Sequence, residues 1–284
     1  MLKGTIIKNV SNQYVVNTKY ENYTCVPRGI FRHEKIVPLV GDRVLINEES
    51  LTIEEIFKRT NYLERPSVAN IEYGLIITSF VEPDFNSMLL DKLIVKFLSK
   101  NVKPVLIFTK LDKCNKEEIK NYKEVKKYYM SLGYKVLSNK NLFRIKRFLK
   151  NKTAFVAGQT GAGKSTLLNR LDKKLKIDTK PISKALGRGV HTTRHTELYK
   201  ISNFYIADTP GFSSITVDDI KKDELKDYFV EFKNYKCKFK DCNHLNKNCE
   251  VYKNKESNKL FFERYKNYEK MMGEIDEGSS KLYK

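Results

Sequence analysis

The sequence predicts a multidomain protein: an N-terminal all-β barrel over 1–64, a central α/β domain built on a phosphate-binding loop over 65–215, and a small zinc-binding α domain over 216–284. Three observations carry this reading. Short apolar runs separated by Asn, Gly and Glu clusters fill the chain from Lys3 to Phe57. The run Gly158-Gln159-Thr160-Gly161-Ala162-Gly163-Lys164-Ser165 stands between an apolar strand and a helix. Cys237, Cys242, His244 and Cys249 crowd into one short segment near the C-terminus.

At 284 residues the chain suits two or three domains. Lys and Arg number 54 against 34 Asp and Glu, a formal charge of +20 that points to a polyanionic partner, nucleic acid or an anionic membrane surface. An excess of Lys over Arg with abundant Asn is also what genome base bias produces without selection for binding. Met1 to Lys8 has no apolar stretch fit for a signal peptide, and no segment is long enough to span a bilayer. A cytoplasmic protein with no membrane partner and five reduced cysteines is the expectation.

The barrel is read from five runs: Thr5-Ile6-Ile7, Tyr14-Val15-Val16, Tyr23-Thr24-Cys25-Val26, Val44-Leu45-Ile46 and Leu51-Thr52-Ile53. Five strands fit an OB-fold, which binds oligonucleotides on one face, with an SH3-like barrel as the close alternative. Arg28, Arg32, His33 and Lys35 lie in the third-to-fourth connection, where they either meet RNA backbone or form a solvated loop. Arg59 to Asn70, with Arg65-Pro66, reads as a linker.

Beyond it strands alternate with helices: a buried strand over Ile71 to Phe80, a helix capped by Ser87, a strand at Val105 to Phe108, and a helix from Glu117 to Leu132 closed by Gly133. A strand from Tyr134 to Leu137 and a helix from Leu142 to Leu149 follow. This alternation makes a parallel sheet with ligands at its carboxyl ends. The loop glycines let successive N–H groups point at phosphate oxygens, the helix N-terminus adds positive charge, Lys164 reaches the β- and γ-phosphates, and the Ser165 hydroxyl, with Thr166 beside it, is placed for Mg²⁺.

Thr109-Lys110-Leu111-Asp112 follows the second of these strands and resembles the guanine-specificity motif of GTPases. The Asp112 carboxylate can accept from guanine N1–H and N2–H, a donor pair that adenine lacks. Ser138-Asn139-Lys140, after the third strand, resembles the loop whose backbone N–H reads guanine O6. After the phosphate loop, Gly187 to Arg194 is a glycine-bearing segment in which Thr193, or Thr192 beside it, is the candidate hydroxyl for Mg²⁺ and the γ-phosphate. The strand Phe204 to Ala207 then delivers Asp208-Thr209-Pro210-Gly211, where Asp208 reaches Mg²⁺ through water and the Gly211 N–H meets the γ-phosphate. The guanine motifs precede the phosphate loop and the switch motifs follow it, the reverse of ordinary GTPases. A circularly permuted G domain explains that order. Phe212 stands where many GTPases carry a water-orienting Gln, so slow hydrolysis by the free enzyme is expected.

Three thiolates and an imidazole at Cys237, Cys242, His244 and Cys249 form a closed tetrahedral set for one structural Zn²⁺. Leu260, Phe261, Tyr265, Tyr268, Met271 and Met272 recur at helical spacing, a stripe read first as core and second as a partner groove.

The barrel, the permuted G domain, the Cys-x4-Cys-x-His module and Gly187-Arg188-Gly189-Val190-His191-Thr192-Thr193 together closely resemble the RsgA (YjeQ) family of bacterial ribosome-maturation GTPases. The resemblance implies binding to the small ribosomal subunit and its RNA late in assembly, with GTP hydrolysis stimulated there and used to release assembly factors or the enzyme itself. It also nominates His191 as the polar group that Phe212 cannot supply, and a monomer. Two departures are visible: Thr109 stands where the family has Asn, and the gap from His244 to Cys249 is one residue short. The alternatives are an RNA-binding scaffold that holds GTP only for folding and an ATP-dependent nucleic-acid enzyme.

Overall fold

A computed structural model describes residues 1–64, 67–177, 197–208 and 216–282, the side chains of Glu64, Asp208 and 277–282 excepted. The chain forms two compact units, one of 1–75, 142–156 and 165–211, the other of 76–141, 157–164 and 212–284.

In the first unit, β1 (Leu2–Val10), β2 (Gln13–Thr18), β3 (Asn22–Pro27), β4 (Arg43–Asn47) and β5 (Thr52–Ile56) run in the spatial order β1-β2-β3-β5-β4. A β1–β4 pairing closes them into a barrel, and β3 and β5 are parallel. That closure is the OB-fold arrangement, which settles the choice against an SH3-like barrel. Alternation along the strands points Ile6, Val16, Cys25, Val44, Ile46 and Ile53 inward, all fully buried. The connection read as a basic loop contains a short helix, α1 (Gly29–His33), with Phe31 buried beneath it.

The stretch from Arg59 to Asn70 is not a linker. It holds a hairpin of β6 (Tyr62–Glu64) and β7 (Ser67–Ala69), and Leu63, Val68 and Ala69 are buried. Long-range bonds fix it to the barrel: Arg59 pairs with Asp42 at 2.7 Å, and the Asn70 amide donates to Gly41 O at 3.0 Å. Further along, β1 pairs at Lys8 with Glu197 of β12 (Glu197–Ile201). β12 is antiparallel to β13 (Phe204–Asp208), which is parallel to β11 (Thr153–Gly158). α4 (Leu142–Leu149) and α5 (Lys164–Leu171) bury Ile145, Leu149, Leu167, Leu168 and Leu171.

In the second unit, β10 (Lys135–Ser138), β9 (Lys103–Thr109) and β8 (Tyr73–Ser79) lie side by side, β9 and β10 in parallel register. α2 (Ser87–Ser99) starts one residue earlier than its predicted cap allows. Asn86 is the N-cap, accepting from Leu89 N at 2.9 Å, and Ser87 is the first helical residue. α3 (Lys116–Ser131) opens on a reciprocal capping box between Asn115 and Glu118. C-terminal 3-10 turns, α6 (Glu250–Asn254) and α7 (Lys259–Leu282) surround a core of Phe229, Phe232, Tyr265, Tyr268, Met271 and Met272. The apolar stripe of α7 is therefore core, as its spacing predicts; Leu260 alone of the six is only half-buried.

α7 also meets α2 through buried charge. The Arg264 guanidinium bonds Glu231 at 2.5 Å and Asp91 of α2, and Asp91 accepts from Asn267 at 2.7 Å and from the Tyr129 hydroxyl at 2.9 Å. One cation faces two carboxylates here. Burial raises the Asp91 carboxyl to about 6, against the pull of Arg264 and the Asn267 amide.

Candidate nucleotide site and metal centre

β11 carries the chain into the phosphate loop, and three of its glycines have positive φ: Gly158, Gly161 and Gly163. Gly158 is required by contact as well as by torsion, because a Cβ there would lie 2.0 Å from Ile77 O of β8. The Lys164 ammonium folds over the loop and donates to Gly158 O at 2.8 Å and Gln159 O at 2.9 Å, while Ala162 N closes a turn on Gln159 O at 3.1 Å. Thr160 is exposed at the tip. Ser165 and Thr166 occupy the first turn of α5, Ser165 half-buried, so an oxygen donor suited to Mg²⁺ stands beside the positive end of the helix.

One guanine-motif residue touches that loop. Thr109, buried at the end of β9, has its hydroxyl 2.6 Å from Ala162 O and 3.2 Å from Thr78 O. Thr109 and Ala162, 53 residues apart in sequence, are thus joined directly. Lys110 takes a left-handed φ of 56° and its ammonium donates to Glu82 O. Leu111 is half-buried and Asp112 is exposed at the loop tip. Ser138 stands beside Phe108 in the parallel register, its hydroxyl accepting from Lys140 N at 3.2 Å across Asn139.

Asp208 ends β13 opposite Val156, on the strand that leads into the phosphate loop. Its side chain lies outside the described residues, as do His191, Thr192, Thr193, Gly211 and Phe212.

Sequence reasoning passed over Glu82-Pro83. Besides receiving Lys110, the Glu82 carboxylate pairs with Lys113 at 2.5 Å, and that ammonium holds it below the usual carboxylate range. A Cβ at Gly161 would lie 3.6 Å from Pro83 Cδ. The available signal was position, since Glu82-Pro83-Asp84 follows β8 at the same carboxyl edge as Thr109.

In the C-terminal module the ligand atoms of Cys237, Cys242, His244 and Cys249 all lie within 4.8 Å of one another. Cys237 Sγ is 3.4 Å from His244 Nδ1 and from Cys249 Sγ, and His244 Nδ1 is 3.3 Å from Cys249 Sγ. Edges of about 3.5–3.8 Å follow from Zn–S and Zn–N bond lengths in a tetrahedron, so this donor set fits zinc. His244 adopts φ 62°, and the Tyr265 hydroxyl, donating to His244 O at 2.8 Å, holds that turn. Burial lowers the imidazole pKa and keeps it a neutral donor, while it pushes the Cys249 thiol up to about 12. A divalent cation is what such a cluster needs to become thiolate.

Comparison with known proteins places these features in context. Residues 56–218 match the model of the RsgA GTPase and residues 3–52 that of the RsgA N-terminal domain. The chain is 41% identical to small ribosomal subunit biogenesis GTPase RsgA 2 of Oceanobacillus iheyensis, over 97% of this chain and 98% of that protein. It is 39% identical to the corresponding RsgA of Staphylococcus saprophyticus, with the same coverage. Among solved structures, YjeQ from Thermotoga maritima superposes with a TM-score of 0.83 at 31% identity, covering 96% of this chain and 98% of that one. YloQ, described as a circularly permuted GTPase, superposes with 0.82 at 33% identity, covering 98% and 96%.

Proposed function

The chain belongs to the RsgA GTPase family, and we propose on that premise that it binds the small ribosomal subunit in the cytoplasm, as a monomer, and hydrolyses GTP there during late assembly. The observation that carries this reading is the Thr109 hydroxyl 2.6 Å from Ala162 O, which ties a guanine motif to a phosphate loop that follows it in sequence. Asp112 reads the guanine edge, with backbone N–H groups of Ser138-Asn139-Lys140 at O6 and Lys110 along the base. Gly158 to Lys164 cradle the phosphates, Thr166 adds a contact, and Ser165, Thr193 and Asp208 are the residues that would hold Mg²⁺. Bound there, Mg²⁺ would supply positive charge to offset that of the triphosphate.

Water attacks the γ-phosphorus in line, and Lys164, the loop N–H groups and Gly211 N–H stabilise the charge that develops. His191 orients the water. The barrel of 1–64 and the zinc domain of 216–284 bind the RNA, and hydrolysis in the G domain of 65–215 releases assembly factors or the enzyme. Zinc, held by Cys237, Cys242, His244 and Cys249, supplies only the fold of its module.

Multiple-turnover GTP hydrolysis with purified small subunits tests this. Acceleration of tenfold or more, abolished by Lys164→Ala, is expected. Equal turnover with and without subunits overturns it and leaves the scaffold reading.

A further inference from the structure

The loop that carries Asp112 is a turn closed by Lys113 N, which donates to Lys110 O at 3.0 Å. Asp112 lies within it, exposed. The lysines on either side of Asp112 end on one residue of the segment after β8: the Lys110 ammonium donates to the Glu82 carbonyl, and the Lys113 ammonium meets the Glu82 carboxylate at 2.5 Å. The same segment is fixed from behind, where the Ser79 hydroxyl donates to Pro83 O at 2.7 Å. Glu82 holds φ 49°, a left-handed conformation that glycine or asparagine takes at less cost, so a charged side chain is kept where the backbone does not favour one.

Two carboxylates compete for one ammonium here. Lys113 is the sequence neighbour of Asp112, and its pKa is raised first by its hydrogen bond and charge pairing with Glu82 and then by the charge of Asp112. Among the described residues, only Glu82 lies within ion-pair distance of it. We propose that Glu82 is a positioning residue for guanine recognition, holding Lys113 off Asp112 so that the Asp112 carboxylate stays open to the N1–H and N2–H donors of the base. Without Glu82 the Lys113 ammonium turns to its neighbour and must be displaced each time a guanine binds. Both partners of the present pair are exposed, so the exchange is worth a few-fold in affinity rather than an all-or-none loss. This role rests on Asp112 being the guanine-reading carboxylate, and the test separates the two.

The test is titration of a fluorescent GDP with the zinc-loaded full chain at low ionic strength. Glu82→Gln raises the Kd about two- to fivefold, the range for one exposed ion pair. Adding Lys113→Gln removes the competitor and brings the Kd back to within about twofold of wild type, a non-additive result that a merely structural role does not give. In an Asp112→Ala background, which itself costs about tenfold or more, Glu82→Gln has no further effect. Thermal melting confirms that each variant is folded. A Glu82→Gln Kd equal to that of wild type, a double variant no tighter than Glu82→Gln, or the same loss in the Asp112→Ala background overturns the proposal. If Asp112→Ala binds like wild type, the guanine reading falls and takes the proposal with it; after the expected loss there, any of the other contrary results sinks the proposal alone.

Discussion

Arg264→Met removes the one cation that faces two buried carboxylates. Asp91 and Glu231 are almost wholly shielded from water, as is Arg264 itself. Breaking such a pair strands the remaining charges, and the cost is about 3–5 kcal/mol rather than the fraction expected at a surface. The cost has a defined pH dependence. A carboxyl whose folded pKa is raised contributes stability at low pH that is lost as pH rises through that folded pKa. Asp91 already stands at about 6 with Arg264 in place; without that cation its carboxyl moves higher, so the variant suffers most at pH 8 and recovers toward pH 6. Urea denaturation of wild type and variant at both pH values, with zinc present, measures this. The difference should be about 3–5 kcal/mol at pH 8 and clearly smaller at pH 6. In a background carrying Asp91→Asn and Glu231→Gln, Arg264→Met should cost about 1 kcal/mol or less. A loss below 1 kcal/mol at pH 8, or the same loss at both pH values, refutes the argument.

Two further outcomes follow from the sites. Thr109→Val keeps shape but leaves Ala162 O without its 2.6 Å donor; a buried acceptor stranded in this way costs about 1–3 kcal/mol, read as a five- to hundredfold rise in the Kd of a fluorescent GDP. Removing zinc with a strong chelator should unfold the module around Cys237 to Cys249, seen as lost hydrogen-exchange protection at Tyr265 and Tyr268, while β1 to β5 stay protected.

The parts of the fold that the sequence revealed are those whose signal is local. α4 begins and ends where its apolar spacing predicts, and the phosphate loop, its strand and its helix follow from one motif. The misreadings share a cause. Asn86 and Ser87 are both good caps, and only torsion angles choose between them. The hairpin at 62–69 has strands of three residues, too short to show alternation, and depends on Asp42, Gly41 and Val40 far upstream. Asp91 looks like one more polar position on α2; nothing nearby announces that Arg264, 173 residues on, will cover it. At the site, the residues that their type and spacing single out take defined places: Lys164 over its own loop, Thr109 against it, and the Cys/His set within 4.8 Å. Glu82 was not singled out, because it acts on Lys110 through a backbone carbonyl that any residue possesses.

The first strand has three neighbours, and they are made at very different times. β2 and β4 are supplied within the first 56 residues, so the barrel can close on itself early, whereas Glu197 is translated about 140 residues later. At roughly 5–20 residues per second, the outer edge at Lys8 waits on the order of ten seconds or more for its partner. For that interval the nascent chain presents finished domain and open seam together, and a chaperone or a neighbouring polysome product that reached Lys8 first would compete with the hairpin for the joint.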